Sequence, residues 1–442
     1  TTFSILSNRR SNKYLKRGVL SWNLLSNLST YSSKYLRINP CTSASVIVAN
    51  PPFFCYDSRM VITTEKIAFG GNCIGKIAGK NVFVPFAVPG EKLEIEIVES
   101  KRDYDVAKIL KILEPSENRT EPLCPYYQKC GGCNMMHIKP EAQQEYRKSM
   151  LRESFERCGV QVPEIQIVSG ENYGYRCRFQ LNNGGLSERA SNRTIPVEKC
   201  VVAENSVNEW LKNTPPHFRP EGRCHLFSSS KVISAGGNSS VNYAVSAEEQ
   251  KQQDNYANLK KKNRNIKQVK KRYSGTQISG SDIITVELLG KKISFDVRGF
   301  FQSNLTVLEK SIQEICRGLV GKSVLDMYSG CGTFSMFLAD YFEKLTLVEH
   351  NRDALVFAEQ NLAGIKHESF GLSGAKWAES NKDSYFDAVV IDPPRSGMEL
   401  EVRKYLCSSK IPQIRSVSCD PATHARDIAE LVSAGYKLER LY

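Results

Sequence analysis

Residues 323–334 read SVLDMYSGCGTF, which is an apolar strand-like run, a turn with two glycines and the start of a helix. Glycines at such a turn let the backbone approach a ligand closely. A second strand-like run, from Lys344 to Val348, ends in Glu349. An acid at this position can accept hydrogen bonds from both ribose hydroxyls of a nucleoside. The spacing predicts a doubly wound α/β sheet that binds a nucleoside cofactor.

Two later segments repeat the pattern of a strand followed by a functional group. Val390 and Ile391 lead into Asp392-Pro393-Pro394-Arg395, and another apolar run leads into Ser418-Cys419-Asp420-Pro421. A lone cysteine is most often a buried structural thiol. At the carboxyl end of a parallel strand, however, it lies where open α/β sheets hold their reactive groups. The neighbouring nucleoside pattern therefore favours Cys419 as a nucleophile.

The remaining sequence narrows the class of ligand. The glycines do not form G-x-G-x-x-G, and no G-x-x-x-x-G-K-[ST] occurs, so dinucleotides and nucleoside triphosphates fit less well than S-adenosylmethionine. The formal net charge of +13 suits contact with phosphates. No apolar run reaches the roughly eighteen residues of a membrane span, and none is predicted.

These motifs resemble the RNA uracil-C5 methyltransferase family, which modifies tRNA and ribosomal RNA. The resemblance runs from about Met60 to Tyr442 and includes Phe300-Phe301-Gln302-Ser303-Asn304 upstream of the glycine turn. It implies that Cys419 attacks the base. It also implies that the methyl donor is bound by Gln302, Tyr328, Thr333, Glu349 and Asp392. One position departs from the family pattern, which usually has Asn where Asp420 stands.

The chemistry explains the need for a thiol. Uracil C5 is too weak a nucleophile to accept a methyl group unaided, whereas a thiolate that adds to C6 makes C5 an enolate carbon. After C5 has attacked the sulfonium methyl, a base removes the C5 proton so that the thiol can leave. Arg395 and Arg415 are candidate cations for lowering the pKa of the thiol. The alternative, methylation of an exocyclic amine, calls for an aromatic residue where Arg395 stands.

A second group of candidate ligands is Cys124, Cys130, Cys133 and Cys200. Four thiolates, three of them closely spaced around glycines, suit a metal centre. The spacing alone leaves zinc and iron open, and the resemblance favours a [4Fe-4S] cluster, with zinc as the alternative. A disulfide framework fits poorly, because fourteen cysteines in 442 residues show no regular pairing.

Between Met60 and about Pro115, short alternating segments are separated by Gly-rich and Pro-Gly turns. This pattern predicts a small antiparallel β-barrel that resembles the OB-like TRAM domain, an RNA-binding module. The helix candidate from Pro140 to Cys158 is expected to pack against the last domain. The densest basic run lies in a polar insert, about residues 246–280, for which a solvated loop and an RNA contact are equally open.

The predicted organisation has four parts. Residues 1–59 form a leader, 60–117 the barrel, 118–297 a middle α+β domain with the metal centre, and 298–442 a Rossmann-like class I methyltransferase domain. The leader holds eight Lys or Arg and one acid, Asp57, so it is interpreted as an over-extended translation before Met60 or as an organelle transit peptide. The sequence ends on a strand-like segment at Tyr442, where the resemblance implies further strands and a catalytic glutamate.

The predicted protein is a monomeric enzyme that methylates a uridine in RNA, with 23S rRNA favoured and tRNA as the alternative. A non-catalytic RNA-binding cluster protein is the competing hypothesis. A cytoplasmic location is expected, or an organelle if the leader is a transit peptide. Cys419 distinguishes the enzyme from the binding protein, since only the enzyme needs it.

Overall fold

The computed structural model describes residues 2–8, 59–235, 242–245 and 282–442. The predicted basic insert at about 246–280 lies outside these residues, as does most of the predicted leader.

The strands closing the N-terminal barrel are β2 Arg59–Ile67, β3 Cys73–Ile77, β4 Lys80–Val84, β5 Lys92–Ser100 and β6 Tyr104–Glu114, in the order β2-β3-β4-β6-β5.

The barrel forms because its strands alternate between apolar and charged side chains. In β5, Leu93 and Ile95 are fully buried, while Glu94 and Glu96, which alternate with them, stay partly exposed. Side chains that alternate in this way place one face of a strand in a core and the other in water. The predicted barrel is confirmed, but β4 and β6 pair in parallel, whereas the prediction was of an antiparallel barrel.

The middle region contains one long helix and several short antiparallel sheets. Strands β7, β10 and β12 form one sheet in the order β12-β10-β7, and β11, β13 and β14 form another in the order β11-β13-β14. Its elements are α1 Pro140–Arg157, β7 Arg178–Asn182, β8 Leu186–Ser187, β9 Thr194–Ile195, α2 Asn205–Asn213, a 3-10 turn Pro216–Phe218, β10 Arg223–Phe227, β11 Val232–Ala235, β12 Asn242–Val245, β13 Ile283–Leu288 and β14 Lys291–Asp296.

Both the middle region and α1 share a core with the C-terminal domain. Phe295 of β14 lies in the same hydrophobic cluster as Leu308 and Phe334. On the other face, Leu151 and Phe155 of α1 join a cluster with residues of the last helix. The predicted packing of the 140–158 helix against the last domain is confirmed.

The C-terminal domain is a doubly wound α/β sheet, which confirms the predicted class. Its strand order in the described chain is β17-β16-β15-β18-β19-β1-β20, in which β1 is Thr2–Asn8. The strands are β15 Gly321–Met327, β16 Phe342–Val348, β17 His367–Phe370, β18 Ala388–Ile391, β19 Gln413–Ser418 and β20 Tyr436–Leu441; the helices are α3 Leu305–Cys316, α4 Thr333–Leu338, α5 Arg352–Asn361, α6 Gly374–Ser380, α7 Leu400–Ser409 and α8 Pro421–Ser433.

The central strands are continuously apolar because both faces of the sheet are covered. Successive residues Val324 and Leu325 of β15 point into two different hydrophobic clusters. Strands β15, β16, β17, β18 and β19 pair in parallel. Their carboxyl ends therefore meet at one edge of the sheet, where such folds bind ligands.

Strand β1, Thr2–Asn8, lies between β19 and β20 and runs antiparallel to both. Phe3 and Ile5 are buried in one hydrophobic cluster and Leu6 in the other, so β1 has two covered faces like the central strands. This differs from the expectation of a leader over residues 1–59, because Thr2–Asn8 is an internal strand of the C-terminal sheet.

Backbone hydrogen bonds hold the last described strand, β20, on both sides. Tyr442 exchanges backbone hydrogen bonds with Phe3, and their rings stack at a centroid distance of 4.1 Å. On the other side of β20, the Gln166 N–H donates to the Leu441 carbonyl at 2.9 Å. Both sides of this strand therefore have backbone partners among the described residues.

Candidate active site

Three strand ends align to form the floor of the site. Met327, at the end of β15, pairs with Val348 of β16 on one side and with Ile391 of β18 on the other. Tyr328, Glu349 and Asp392 each follow directly after these residues. The register therefore brings three of the five predicted donor ligands to one edge of the sheet.

The glycine turn after β15 adopts the conformation that its composition predicts. Gly330 has φ +56 with open space where a Cβ would lie, and Gly332 has φ +79. A Cβ on Gly332 would lie 3.2 Å from the Cβ of Ala358 on α5, so only glycine lets the turn approach that helix. Helix α4 begins at Thr333, directly after this turn. Thr333 is thus the first residue of the helix that follows the glycine turn.

Glu349 is 7% exposed, and its carboxylate organises the turn. Its Oε2 accepts a hydrogen bond from the Gly330 N–H at 3.0 Å, and its Oε1 accepts one from the Asn351 N–H at 2.7 Å. A carboxylate has about four acceptor positions, so capacity remains for two ribose hydroxyls. The arrangement fits the predicted role.

Tyr328 and Asp392 border the same edge. Tyr328 has φ +65, and its hydroxyl hydrogen-bonds with Glu399. Burial raises the pKa of the half-buried Asp392 to about 6. Gln302 lies on a separate segment three residues before α3, where its side chain is half-buried, and it stays a predicted ligand.

Two polar residues outside the predicted donor ligands, Asp326 and Ser329, lie at the same edge of the sheet. Asp326 is 1% exposed; Ser335 donates to its Oδ2 at 2.6 Å, and its Oδ1 has no partner. The Ser329 hydroxyl is likewise buried without a partner. Burial raises the pKa of Asp326 to about 7. Unpartnered buried polar atoms are rare in folded proteins and often mark a ligand site. The residues of this edge fit a nucleoside methyl donor.

Cys419 is exposed directly after β19. The next residue, Asp420, caps α8, because its Oδ1 accepts hydrogen bonds from the Ala422 and Thr423 N–H groups at 3.0 Å each. Asp and Asn cap helices about equally well, which accounts for the one departure from the family pattern. The capped helix holds the loop that presents the thiol.

The two arginines proposed as cationic neighbours of Cys419 differ in position. Arg415 is buried and donates hydrogen bonds to the carbonyls of Ile315 and Arg317, so its guanidinium is held against α3. The proposal that Arg415 activates the thiol is therefore wrong. Arg395 is exposed, and its carbonyl accepts a hydrogen bond from Thr423 at 3.2 Å, beside the start of α8.

A cavity of about 420 Å³ connects Cys419 to the other domains. Its wall includes Phe69 and Gly70 of the barrel, the segment from Gly132 to Met136, and one face of α1. The barrel is fixed to this wall, since the Asn134 side chain donates to the Gly70 carbonyl at 2.9 Å. One open cavity is thus shared by the barrel, the cysteine-rich segment and the exposed thiol.

The four cysteines predicted as metal ligands are neighbours. Burial, together with the charges of the Cys200, Cys130 and Cys124 thiols, raises the pKa of the Cys133 thiol to about 11. Within the described part of the chain, however, no three or more His, Cys, Asp or Glu side chains are arranged to hold a metal ion. The structure brings Cys124, Cys130, Cys133 and Cys200 together, and the metal centre stays a prediction.

Comparison with known proteins agrees with the geometry. A methyltransferase small domain model matches residues 306–406, and a TRAM domain model matches residues 58–110. An uncharacterized RNA methyltransferase of Treponema denticola is 35% identical over 422 residues, which are 86% of this chain and 94% of that protein. The 23S rRNA (uracil(1939)-C(5))-methyltransferase of Shewanella amazonensis is 28% identical, covering 87% of this chain and 91% of that protein. The chain belongs to a family of RNA methyltransferases.

A solved member of the family shares the fold. The tRNA (uracil-54, C5)-methyltransferase of Pyrococcus abyssi, in complex with S-adenosyl-L-homocysteine, aligns with a TM-score of 0.59 at 21% identity. The alignment covers 84% of this chain and 93% of that one. No helix among the described residues is long and apolar enough to cross a bilayer.

Proposed function

We propose that this family member transfers a methyl group from S-adenosylmethionine to C5 of a uridine in RNA through a covalent bond between Cys419 and C6. The observation that carries the proposal is the position of the Cys419 thiol. It is exposed at the carboxyl edge of the sheet, and it lines a cavity that the barrel also lines. A buried structural thiol would not have this exposure.

The reaction proceeds in three steps at this site. The Cys419 thiolate adds to C6 of uracil, and the electron pair moves onto the C5–C4 enolate. C5 then takes the methyl group from the sulfonium, whose sulfur keeps the bonding electrons and leaves as S-adenosylhomocysteine. Finally a base removes the C5 proton, and the thiolate is expelled as the C5–C6 double bond re-forms.

The cavity suits a single-stranded segment better than a duplex. Phe69 is 60% exposed and Tyr173 is 39% exposed, and both line the cavity with the exposed Arg147 of α1. Aromatic rings support stacked bases, and basic side chains bind the phosphates between them. An enzyme that reacts at a base must also take that base out of the stack.

For the substrate we propose large-subunit ribosomal RNA. The support is the 28% identity to the Shewanella amazonensis 23S rRNA enzyme over nearly its whole length. Transcripts of 23S rRNA segments and of tRNA, incubated with the full-length protein and S-adenosylmethionine, test this by mass spectrometry of nucleosides. We expect 5-methyluridine in the 23S transcript. Methylation of tRNA alone would favour the alternative substrate, and methylation of an exocyclic amine would contradict the proposal.

The donor site gives a first quantitative prediction. Glu349→Ala removes the acceptors for two ribose hydroxyls, so we expect S-adenosylmethionine to bind about 1 to 3 kcal/mol more weakly, as measured by calorimetry. Glu349→Gln, which keeps one acceptor oxygen, should lose less. The control is Glu379→Ala, an exposed acid at the end of α6. Equal affinity of Glu349→Ala and this control would remove Glu349 from the donor site.

The four cysteines carry a second part of the proposal, a [4Fe-4S] cluster bound by Cys124, Cys130, Cys133 and Cys200. Their nearness supports it, and no step of the methyl transfer depends on it. Protein purified without oxygen should be brown and contain about four irons. Cys133→Ser should lose the colour and the iron, whereas Cys158→Ser, at an exposed cysteine after α1, should keep both. Colourless protein with stoichiometric zinc would favour the alternative metal.

A further inference from the structure

The polar face of β1 meets a single buried histidine. Thr2 and Ser4 lie two residues apart on β1, so their side chains share one face of the strand. His424, on the first turn of α8, is 1% exposed. Its Nδ1 lies 2.7 Å from the Thr2 hydroxyl, and its Nε2 lies 3.2 Å from the Ser4 hydroxyl. Both ring nitrogens are thus hydrogen-bonded to β1.

The two hydroxyls satisfy the ring completely. A neutral imidazole has one N–H donor and one acceptor nitrogen, and a hydroxyl can serve either. Burial lowers the pKa of His424 to about 3, so the ring stays neutral at working pH. The Phe155 ring of α1 packs edge-on against it at a centroid distance of 5.5 Å. The imidazole is therefore fixed between β1, α8 and α1.

This histidine lies close to the reactive thiol along the chain. Cys419 precedes α8 by two residues, and the His424 N–H donates to the carbonyl of Asp420 at 3.0 Å. On the other side of the thiol, Ser418 is the partner of Thr2 in the ladder between β1 and β19. Thr2 also lines the cavity together with Cys419. Strand β1 thus contacts the segments immediately before and after the thiol.

We propose that Thr2 and Ser4 are positioning residues for methyl transfer: their hydroxyls hold His424, and through it the start of α8, so that the Cys419 thiol keeps its place in the cavity. The inference rests on the proposed role of Cys419. It assigns a function to a strand that is separated from Cys419 by the whole chain and that carries no motif of its own.

The full-length variants Thr2→Val, Ser4→Ala and the double variant test this. Each removes a hydroxyl and leaves a ring nitrogen of His424 without a partner. We expect the double variant to lower kcat about 10- to 100-fold, the loss that follows a displacement of up to roughly 1 Å in a reacting group. The KM for RNA and the affinity for S-adenosylmethionine should not change. Thr2→Ser and Ser4→Thr, which keep the hydroxyls, should retain kcat.

The matched control is Ser7→Ala on the same strand, whose hydroxyl donates to Glu439 at 2.5 Å away from the thiol. A double variant with the kcat of this control would overturn the proposal. So would a loss of kcat shared equally by the hydroxyl-keeping variants, because that would show a purely structural effect of β1. If the double variant fails to fold, the two single variants decide.

A second readout needs no RNA. Alkylation of Cys419 by iodoacetamide, measured by peptide mass spectrometry against the exposed Cys158, reports the setting of the thiol directly. We expect the Cys419 rate to change in the double variant and not in Ser7→Ala, while the Cys158 rate stays constant. An unchanged Cys419 rate would contradict the positioning role. If the parent protein does not methylate RNA, the proposed function is refuted. If the double variant still shows the altered alkylation rate of Cys419, the positioning of this thiol by β1 holds all the same.

Discussion

Cys419→Ala is expected to abolish RNA methylation while leaving the affinity for S-adenosylmethionine unchanged. The predicted donor ligands Tyr328, Glu349 and Asp392 follow β15, β16 and β18, whereas Cys419 follows β19. Without the thiolate, C5 of uracil never becomes an enolate carbon, so the loss should be at least about 10³-fold in kcat. Formation of 5-methyluridine measured by nucleoside mass spectrometry gives the rate, and calorimetry gives the donor affinity.

The control for this variant is Cys158→Ala. Cys158 is also exposed, so the pair matches the chemistry and the exposure of the removed thiol. We expect the control to methylate like the parent. Methylation by Cys419→Ala at the parent rate would show that the reaction does not pass through this thiol.

The second large effect is expected at β1. Leu6 is fully buried in the cluster that also holds Ile414 and Leu438, its neighbours on β19 and β20. Leu6→Asp places a carboxylate there without a partner, and an uncompensated buried charge costs about 3 to 5 kcal/mol. Hydrogen exchange should show that β19 and β20 open more readily by about that free energy.

Ser7→Ala serves again as the control, because it changes the same strand at a partly exposed position. The barrel, which lies elsewhere in the chain, should keep its protection in both variants. If β19 and β20 of Leu6→Asp exchanged like those of the control, Thr2–Asn8 would not be an internal strand of the sheet.

The sequence predicts most of the site because strand ends and their following residues are local patterns. Glu349 after β16, Asp392 after β18 and Cys419 after β19 all lie where the spacing of apolar runs places them. The alternation of Leu93 and Ile95 with charged residues likewise predicts the barrel. Each of these signals is an apolar run or an alternation within one short segment, which is the kind of pattern from which a strand can be predicted.

What the sequence does not predict depends on contacts between distant segments. The seven residues of β1 pair with strands more than 400 residues away, and a short strand carries no sign of its partner. The orientation of the Arg415 side chain is set by its hydrogen bond to the carbonyl of Ile315 on α3. Asp326, in contrast, could have been predicted as a site residue from the sequence. It is an acid inside an apolar strand, and a buried acid needs a hydrogen-bond partner.

The central claim is a covalent bond between Cys419 and uracil C6 during methyl transfer. The most direct test incubates the full-length protein with S-adenosylmethionine carrying a labelled methyl group and RNA in which the target is 5-fluorouridine. A base cannot remove fluorine from C5 as it removes a proton, so the adduct should persist. After digestion with trypsin and nuclease, we predict one labelled nucleotide on the peptide of residues 416–426, which contains Cys419. Label on the RNA with no protein adduct, or an adduct on another peptide, would contradict the mechanism.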